Sequence, residues 1–313
     1  MKLNKVEPKY ISKSNPRIGL ITLGSDFRIE KDFNNVVHGR DIDLYVNRIH
    51  CYNPLTNETL AKMADDITGV AKDILPDQKI DCVAYGCTSG TVAAGYDTIK
   101  EKVNLAKPEA KVTTPITAAI KALNKLGINE ISIFTPYTKT INDSVVGYFE
   151  KKNVKVNSLT YFDIDSDLDI GKVDEDYLFD VLSKIELEDS DALFVSCTAL
   201  PVLSIIEKLE KKINKIVLSS NQTLIWDSLN QIDFKEKIDF LENDKTEYLK
   251  LWNECQQLIH RDDLWDGSYF FNNIEREIKE EFDVELNRSG TIDYKSSSIF
   301  LHENENTLTD FFN

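Results

Sequence analysis

Short apolar runs alternate along this chain with longer stretches in which apolar residues return every three or four positions. The runs end at Gly, Ser, Thr or Asn, as strands do, and the longer spacing is that of amphipathic helices. This pattern predicts strands at Arg17–Leu23, Leu44–Ile49, Asp81–Tyr85, Val112–Thr113, Glu130–Phe134, Lys155–Thr160, Ala192–Ser196 and Lys215–Leu218. It predicts helices over Thr59–Leu75 and Ile116–Leu126, the second stopped by Gly127. Strands that are apolar on both faces and separated by helices imply an α/β fold with mainly parallel sheets flanked by helices.

An internal repeat turns one such fold into two. RIGLIT, ending at Thr22, is echoed by EISIFT, ending at Thr135; DCVAYGCT, with Cys87, is echoed by DALFVSCT, with Cys197. Two unrelated pairs at nearly the same separation predict two pseudo-symmetric lobes, with a ligand crevice beyond the carboxyl ends of the strands. Asp81 and Asp191 open the two motif strands and are read as solvated turn residues at the opposite end.

Charge sets a boundary. The 313 residues carry a net charge of −16, and residues 235–313 alone hold 19 Asp and Glu against 9 Lys and Arg. The expected division is therefore residues 17–234 as the two-lobed catalytic domain and 235–313 as an acidic C-terminal helical extension. The helical patterns of the extension contain Trp252 and Trp265, which could bury aromatic surface on the core or on a second subunit, so a homo-oligomer is one expectation. The acidic balance argues against a nucleic-acid partner. No apolar run reaches membrane-span length and none resembles a signal peptide, so a cytoplasmic protein is expected.

Five cysteines form no CxxC pair, and the four histidines, His38, His50, His260 and His302, make no HxH or HExxH spacing. Neither a disulfide framework nor a metal site is expected, and catalysis should need no metal or organic cofactor. Cys51, Cys82 and Cys255 read as buried small hydrophobes. Cys87 and Cys197 differ, because each follows an apolar strand and opens a small-residue turn. A helix beginning at each sulfur would favour the thiolate and lower the thiol pKa. The hydroxyls of Thr88, Ser89 and Thr198 beside them could hold a carboxylate. Tyr137, just past a predicted strand end, could reach the same crevice, whereas Ser220 and Asn221, closing the last strand of the repeat region, either shape the mouth of the pocket or serve only as the turn capping the helix of Trp226.

Across residues 17–234 these segments resemble the aspartate/glutamate/hydantoin racemase superfamily, in its branch of maleate isomerases, arylmalonate decarboxylases and ectoine-utilisation isomerase-like proteins. The anchors are RIGLITLGSD, YGCTSGT, VTTPITAAIKALNKLG, FTPYT, VSCTALP and LSSNQTLIWDSL, with YGCTSG and SSNQ most similar to the ectoine-utilisation group. The resemblance implies a pseudo-symmetric fold, no cofactor, Cys87 and Cys197 as the catalytic pair, and Thr88, Ser89, Tyr137 and Thr198 as donors to one substrate carboxylate. Where decarboxylases of this pattern have glycine, this chain keeps Cys87, which argues against pure decarboxylation. It also departs from the maleate isomerase pattern: Asp26 stands where a substrate-binding Asn is expected, and Asp167 where another is. An acid there would repel a second carboxylate and suit an amino group.

The expected activity is racemisation or isomerisation of a small carboxylic or amino acid by two-cysteine acid/base chemistry. The alternatives are cis–trans isomerisation of the maleate type by cysteine addition, and a non-catalytic module that binds a small acid.

Overall fold

The computed structural model describes residues 3–11 and 14–234. The proposed extension, with Trp252, Trp265 and Cys255, lies outside the described residues. Eight strands form two four-stranded sheets: β1 Arg17–Leu23, β2 Asp43–Ile49, β3 Cys82–Gly86 and β4 Lys111–Thr113 in one, β5 Glu130–Thr135, β6 Lys155–Tyr161, β7 Ala192–Val195 and β8 Ile216–Ser219 in the other. Their orders are β2-β1-β3-β4 and β6-β5-β7-β8, the same topology used twice. Every neighbouring pair is parallel. The repeated segments lie side by side within each sheet: Thr22 pairs with Gly86 in the first, and Phe134 with Val195 in the second.

Sequence explains this order. β3 and β7 are central and buried along their whole length, whereas β2 and β6, at the edges, are mostly half-exposed and carry the more polar sequences DLYVNRI and KVNSLTY. Strand ends differ from expectation by only a residue or two. The helix Pro115–Leu126 forms as expected, with proline in its first turn, a Thr114/Thr117 capping box and Gly127 left-handed at φ +69°.

The predicted helix Thr59–Leu75 is instead broken into Asn57–Lys62, a 3₁₀ turn Met63–Asp66, and Ile67–Asp73. Buried Leu60, Met63, Ala64 and Ile67 keep the three- and four-residue spacing of one helical face across the break.

The last described helix, Ser220–Gln231, ties the halves together. It leaves β8 in the second lobe and packs on Pro115–Leu126 and β3 of the first. Its residues from Ser220 to Leu229 are all buried. Buried Asp227 accepts hydrogen bonds from Thr113 Oγ1 at 2.5 Å and Lys121 Nζ at 2.7 Å, so its charge is compensated. At the amino ends of β3 and β7, Asp81 accepts from the Arg17 backbone N–H at 2.9 Å and Asp191 is exposed, in keeping with their reading as turn residues. Among the described residues no helix is long and apolar enough to cross a membrane.

Candidate active site

Both cysteines stand at the carboxyl ends of the central strands, Cys87 after β3 and Cys197 after β7, and the two ends are clamped together. Thr198 Oγ1 donates to the Gly86 carbonyl at 3.2 Å. The Cys197 N–H donates to Ser220 Oγ at 3.0 Å, and Ser220 Oγ lies 2.8 Å from Thr88 Oγ1. Each residue flanking Cys87 is thus bridged to the Cys197 turn. Both thiols are nearly closed off, Cys87 3% and Cys197 6% exposed.

The two thiols are held differently. Cys87 is the N-cap of the helix Thr88–Ala94, and its sulfur accepts the Gly90 N–H at 3.2 Å, with Ser89 Oγ 3.9 Å away. Gly90 is required by closeness: a Cβ there would lie 2.8 Å from Cys87 Sγ, 3.0 Å from the Tyr85 hydroxyl and 3.1 Å from Met63 Cε. Cys197 opens no helix, contrary to expectation. Residues 198–202 are irregular and the next element is the 3₁₀ turn Leu203–Ile205. Cys197 instead sits at φ +106°, a conformation that costs a non-glycine residue about 1–3 kcal/mol and persists only where surroundings enforce it.

Expectation also fails on the thiol pKa. Burial pushes both thiols up, and the negative charge of Asp167 adds to this at each; the Gly90 N–H at Cys87 and the Ala199 N–H at Cys197 oppose it without prevailing. A low-dielectric pocket near a carboxylate penalises a thiolate more than one or two backbone donors favour it. At rest both sulfurs therefore carry protons.

Tyr137 is 1% exposed; its hydroxyl accepts from Ser196 at 3.4 Å, and contact with it favours the Cys197 thiolate. Thr88 and Ser89 are buried beside Cys87, and Thr198 beside Cys197, with the Thr198 proton committed to Gly86. All the expected site residues are buried at these two strand ends or, for Asp26, against Thr198. Asp26 has a dual character: Oδ1 accepts the N–H groups of Arg28 and Ile29 at 2.8 and 3.1 Å, capping the helix Ile29–Val37, while buried Oδ2 has no hydrogen-bond partner.

Four further groups join the site, of which the sequence points only to Ser220 and Asn221, and there only to the pocket mouth. Ser220 and Asn221 do not cap their helix, because Ser219 and Gln222 form that capping box. Ser220 bridges the lobes as described, and Asn221 Nδ2 donates to the Thr198 carbonyl at 3.0 Å and to Asp32 Oδ2 at 2.7 Å. Cys51, half-buried, is pushed up to about 11 by burial and by Asp167. Cys82, by contrast, is buried within β3, as its hydrophobic reading expects.

The fourth, Asp32, is pushed up to about 7 by burial, with the Asn221 hydrogen bond opposing and Asp26 adding. Asp167 is raised to about 6 by burial, although Ser25 donates to it at 2.5 Å. A carboxyl raised in the fold binds its proton more tightly there than in the unfolded chain. Its contribution to stability is therefore full below the ordinary value of 3.8 and is lost as pH rises through about 6 for Asp167 and about 7 for Asp32.

The melting temperature is accordingly expected to be higher near pH 5.5 than near pH 8. Asp32→Asn should flatten that slope and stabilise the protein at the higher pH by up to a few kcal/mol, at about 1.4 kcal/mol per pKa unit. Scanning calorimetry of both proteins across this range checks it; parallel slopes would show that Asp32 is ionised throughout.

One buried cysteine from each half of a duplicated parallel α/β fold, the two turns hydrogen-bonded together, defines the class of two-lobed cysteine enzymes that the sequence motifs resemble. The chain belongs to the arylmalonate decarboxylase family, whose family model matches residues 51–239. Maleate isomerase of Geobacillus stearothermophilus is 24% identical over 235 residues, covering 70% of this chain and 92% of the relative. Arylmalonate decarboxylase of Bordetella bronchiseptica is 24% identical over 119 residues, 37% of this chain and 50% of that one. Among solved structures, the maleate isomerase Iso of Pseudomonas putida S16 superposes with a TM-score of 0.66 at 21% identity, over 72% of this chain and 96% of its own. A cysteine-to-serine mutant of Nocardia farcinica maleate cis-trans isomerase, with a covalently bound succinylcysteine intermediate, gives 0.66 at 18% identity over the same shares. These structural likenesses establish the fold, two parallel sheets flanked by helices.

Proposed function

We propose that this protein is a cofactor-independent isomerase that moves the proton on the carbon α to the carboxylate of a small acid. The observation that carries the reading is the clamp described above, which joins the turn of Cys87 to the turn of Cys197 through Thr198–Gly86 and Ser220–Thr88. One sulfur, as thiolate, takes the α proton; the electron pair moves into the carboxylate, giving an enediolate held by the hydroxyls of Thr88, Ser89 and Tyr137. The other thiol gives its proton to the opposite face and is left as thiolate. We assign this chemistry to residues 17–234, with the acidic remainder as an accessory element.

A second reading has its own support. Four relatives are maleate isomerases by name, and the Nocardia structure holds a succinylcysteine. In that chemistry a thiolate adds to a carbon–carbon double bond, the resulting single bond rotates, and the thiolate leaves. Against it here stand the buried acids Asp26 and Asp167, which disfavour a dicarboxylate. Turnover in deuterated buffer followed by proton NMR separates the two. Proton transfer replaces the α hydrogen with deuterium as the optical rotation decays, whereas conversion of maleate without α-proton exchange in any saturated acid would overturn the first reading.

A further inference from the structure

The strand that leads to Cys87 holds a tyrosine that its repeat lacks. DCVAYGCTSG and DALFVSCTAL match residue for residue in length, which sets Tyr85 against Val195 and Gly90 against Leu200. In the second lobe both places hold fully buried apolar side chains. In the first lobe the glycine leaves room, and the Tyr85 hydroxyl borders it: a Cβ on Gly90 would lie 3.0 Å from that oxygen and 2.8 Å from Cys87 Sγ. Hydroxyl and sulfur therefore edge one small space, no further apart than those two lengths laid end to end.

Tyr85 is 1% exposed, yet its hydroxyl makes no hydrogen bond to any described residue. The Tyr96 and Tyr137 hydroxyls, by contrast, engage the Val112 carbonyl and Ser196. A buried phenol normally finds a partner, and one left without it costs stability. Strand packing does not demand the group, because Val195 fills the matching place with no polar atom. Burial also pushes the phenol far up, so Tyr85 keeps its proton and acts only as a donor.

The titratable groups that face Cys87 are Asp167, Cys51, Tyr85 and Tyr137. Asp167 disfavours the thiolate, Cys51 is pushed up to about 11 and stays protonated near neutrality, and Tyr137 is engaged at Ser196 and Cys197. Resting on the two-thiol reading, we propose that Tyr85 is a positioning residue whose hydroxyl is held in reserve for the Cys87 thiolate, donating to the sulfur when it loses its proton. The O–H turns about its C–O bond to aim at the sulfur, and it bonds a charged acceptor more strongly than a neutral one. The proton stays on the phenol throughout. As thiolates, both sulfurs would then be held alike, each by one backbone N–H and one tyrosine: Gly90 and Tyr85 at Cys87, Ala199 and Tyr137 at Cys197.

Alkylation of the full-length protein by iodoacetamide, with each labelled peptide quantified by mass spectrometry, reads the two thiolates separately and needs no substrate. In Tyr85→Phe the rate at Cys87 should fall at least about tenfold near pH 8 and its midpoint should rise by about one pH unit, while Cys197 labels as in the wild type. Thiolate absorbance in the ultraviolet, titrated in both proteins, reads the same shift where access to the sulfur limits labelling. The melting temperature should hold or rise, because phenylalanine keeps the ring and removes an unpaired hydroxyl. An unchanged Cys87 midpoint by both measurements, or equal slowing at Cys87 and Cys197, would overturn the proposal. A raised KM with unchanged labelling would do so too, by making Tyr85 a substrate contact. A shifted Cys87 midpoint beside a wild type that exchanges the α proton of no acid would instead sink the proton-transfer reading and leave the role of Tyr85 standing.

Discussion

Replacing either Cys87 or Cys197 by serine is expected to reduce turnover at least about a thousandfold while the far-ultraviolet circular dichroism stays unchanged. A serine hydroxyl is a much weaker acid than a thiol and cannot alternate between proton donor and acceptor near neutral pH. The burial that pushes both thiols up would raise a hydroxyl further, so nothing in the pocket rescues the substitution. Folding should survive, because Oγ is smaller than Sγ and can still accept the Gly90 N–H at residue 87. In the wild type the rate should rise with pH above neutrality, since one sulfur must first lose its proton. A serine variant at either position that retained near wild-type kcat/KM would remove the two-thiol mechanism.

Gly90→Ala is expected to cost about a hundredfold in kcat/KM, although the mutated position touches no substrate. Alanine favours a helix over glycine by about 1 kcal/mol, so backbone propensity alone would stabilise the variant. The added carbon, however, would sit 2.8 Å from Cys87 Sγ, with Tyr85 and Met63 closing the other sides. A contact that short must push the sulfur away, and moving it breaks its bond with the Gly90 N–H. A folded variant whose kcat drops while its melting temperature moves little fits this account. Wild-type kcat would mean that the thiol needs no such seating.

Much of the architecture could be read from the chain because parallel strands buried on both faces write themselves as short apolar runs, and because the duplication wrote each twice. β3 and β7 are the clearest cases, recognisable by their own composition and by each other. What escaped reading was set by contacts between distant residues. Asp32 looks like any polar position on an amphipathic helix; its partner Asn221 lies 189 residues away. Ser220 follows the true capping residue and resembles one, yet its hydroxyl spans the lobes. The backbone reversal at Cys197 leaves no mark in VSCTAL, and the sign of the thiol shifts depended on how much burial would outweigh a few N–H groups. The motifs announced which atoms meet, whereas the field they meet in came from Asp26, Asp32 and Asp167 folding in beside them.

Duplication has not made the two sulfurs twins: Cys87 rests in extended backbone at φ −146° and receives an N–H from its own helix, whereas Cys197 is held at φ +106° with Tyr137 at its side. Mirror-image substrates have equal free energy in water, so for a racemisation the Haldane relation forces kcat/KM to be the same in both directions, however unlike the sulfurs are. The asymmetry must then appear in kcat and KM taken separately: the enantiomer that is bound more tightly turns over more slowly by the same factor. A duplicated fold with unequal halves would thus hold one hand of its substrate longer than the other while favouring neither at equilibrium.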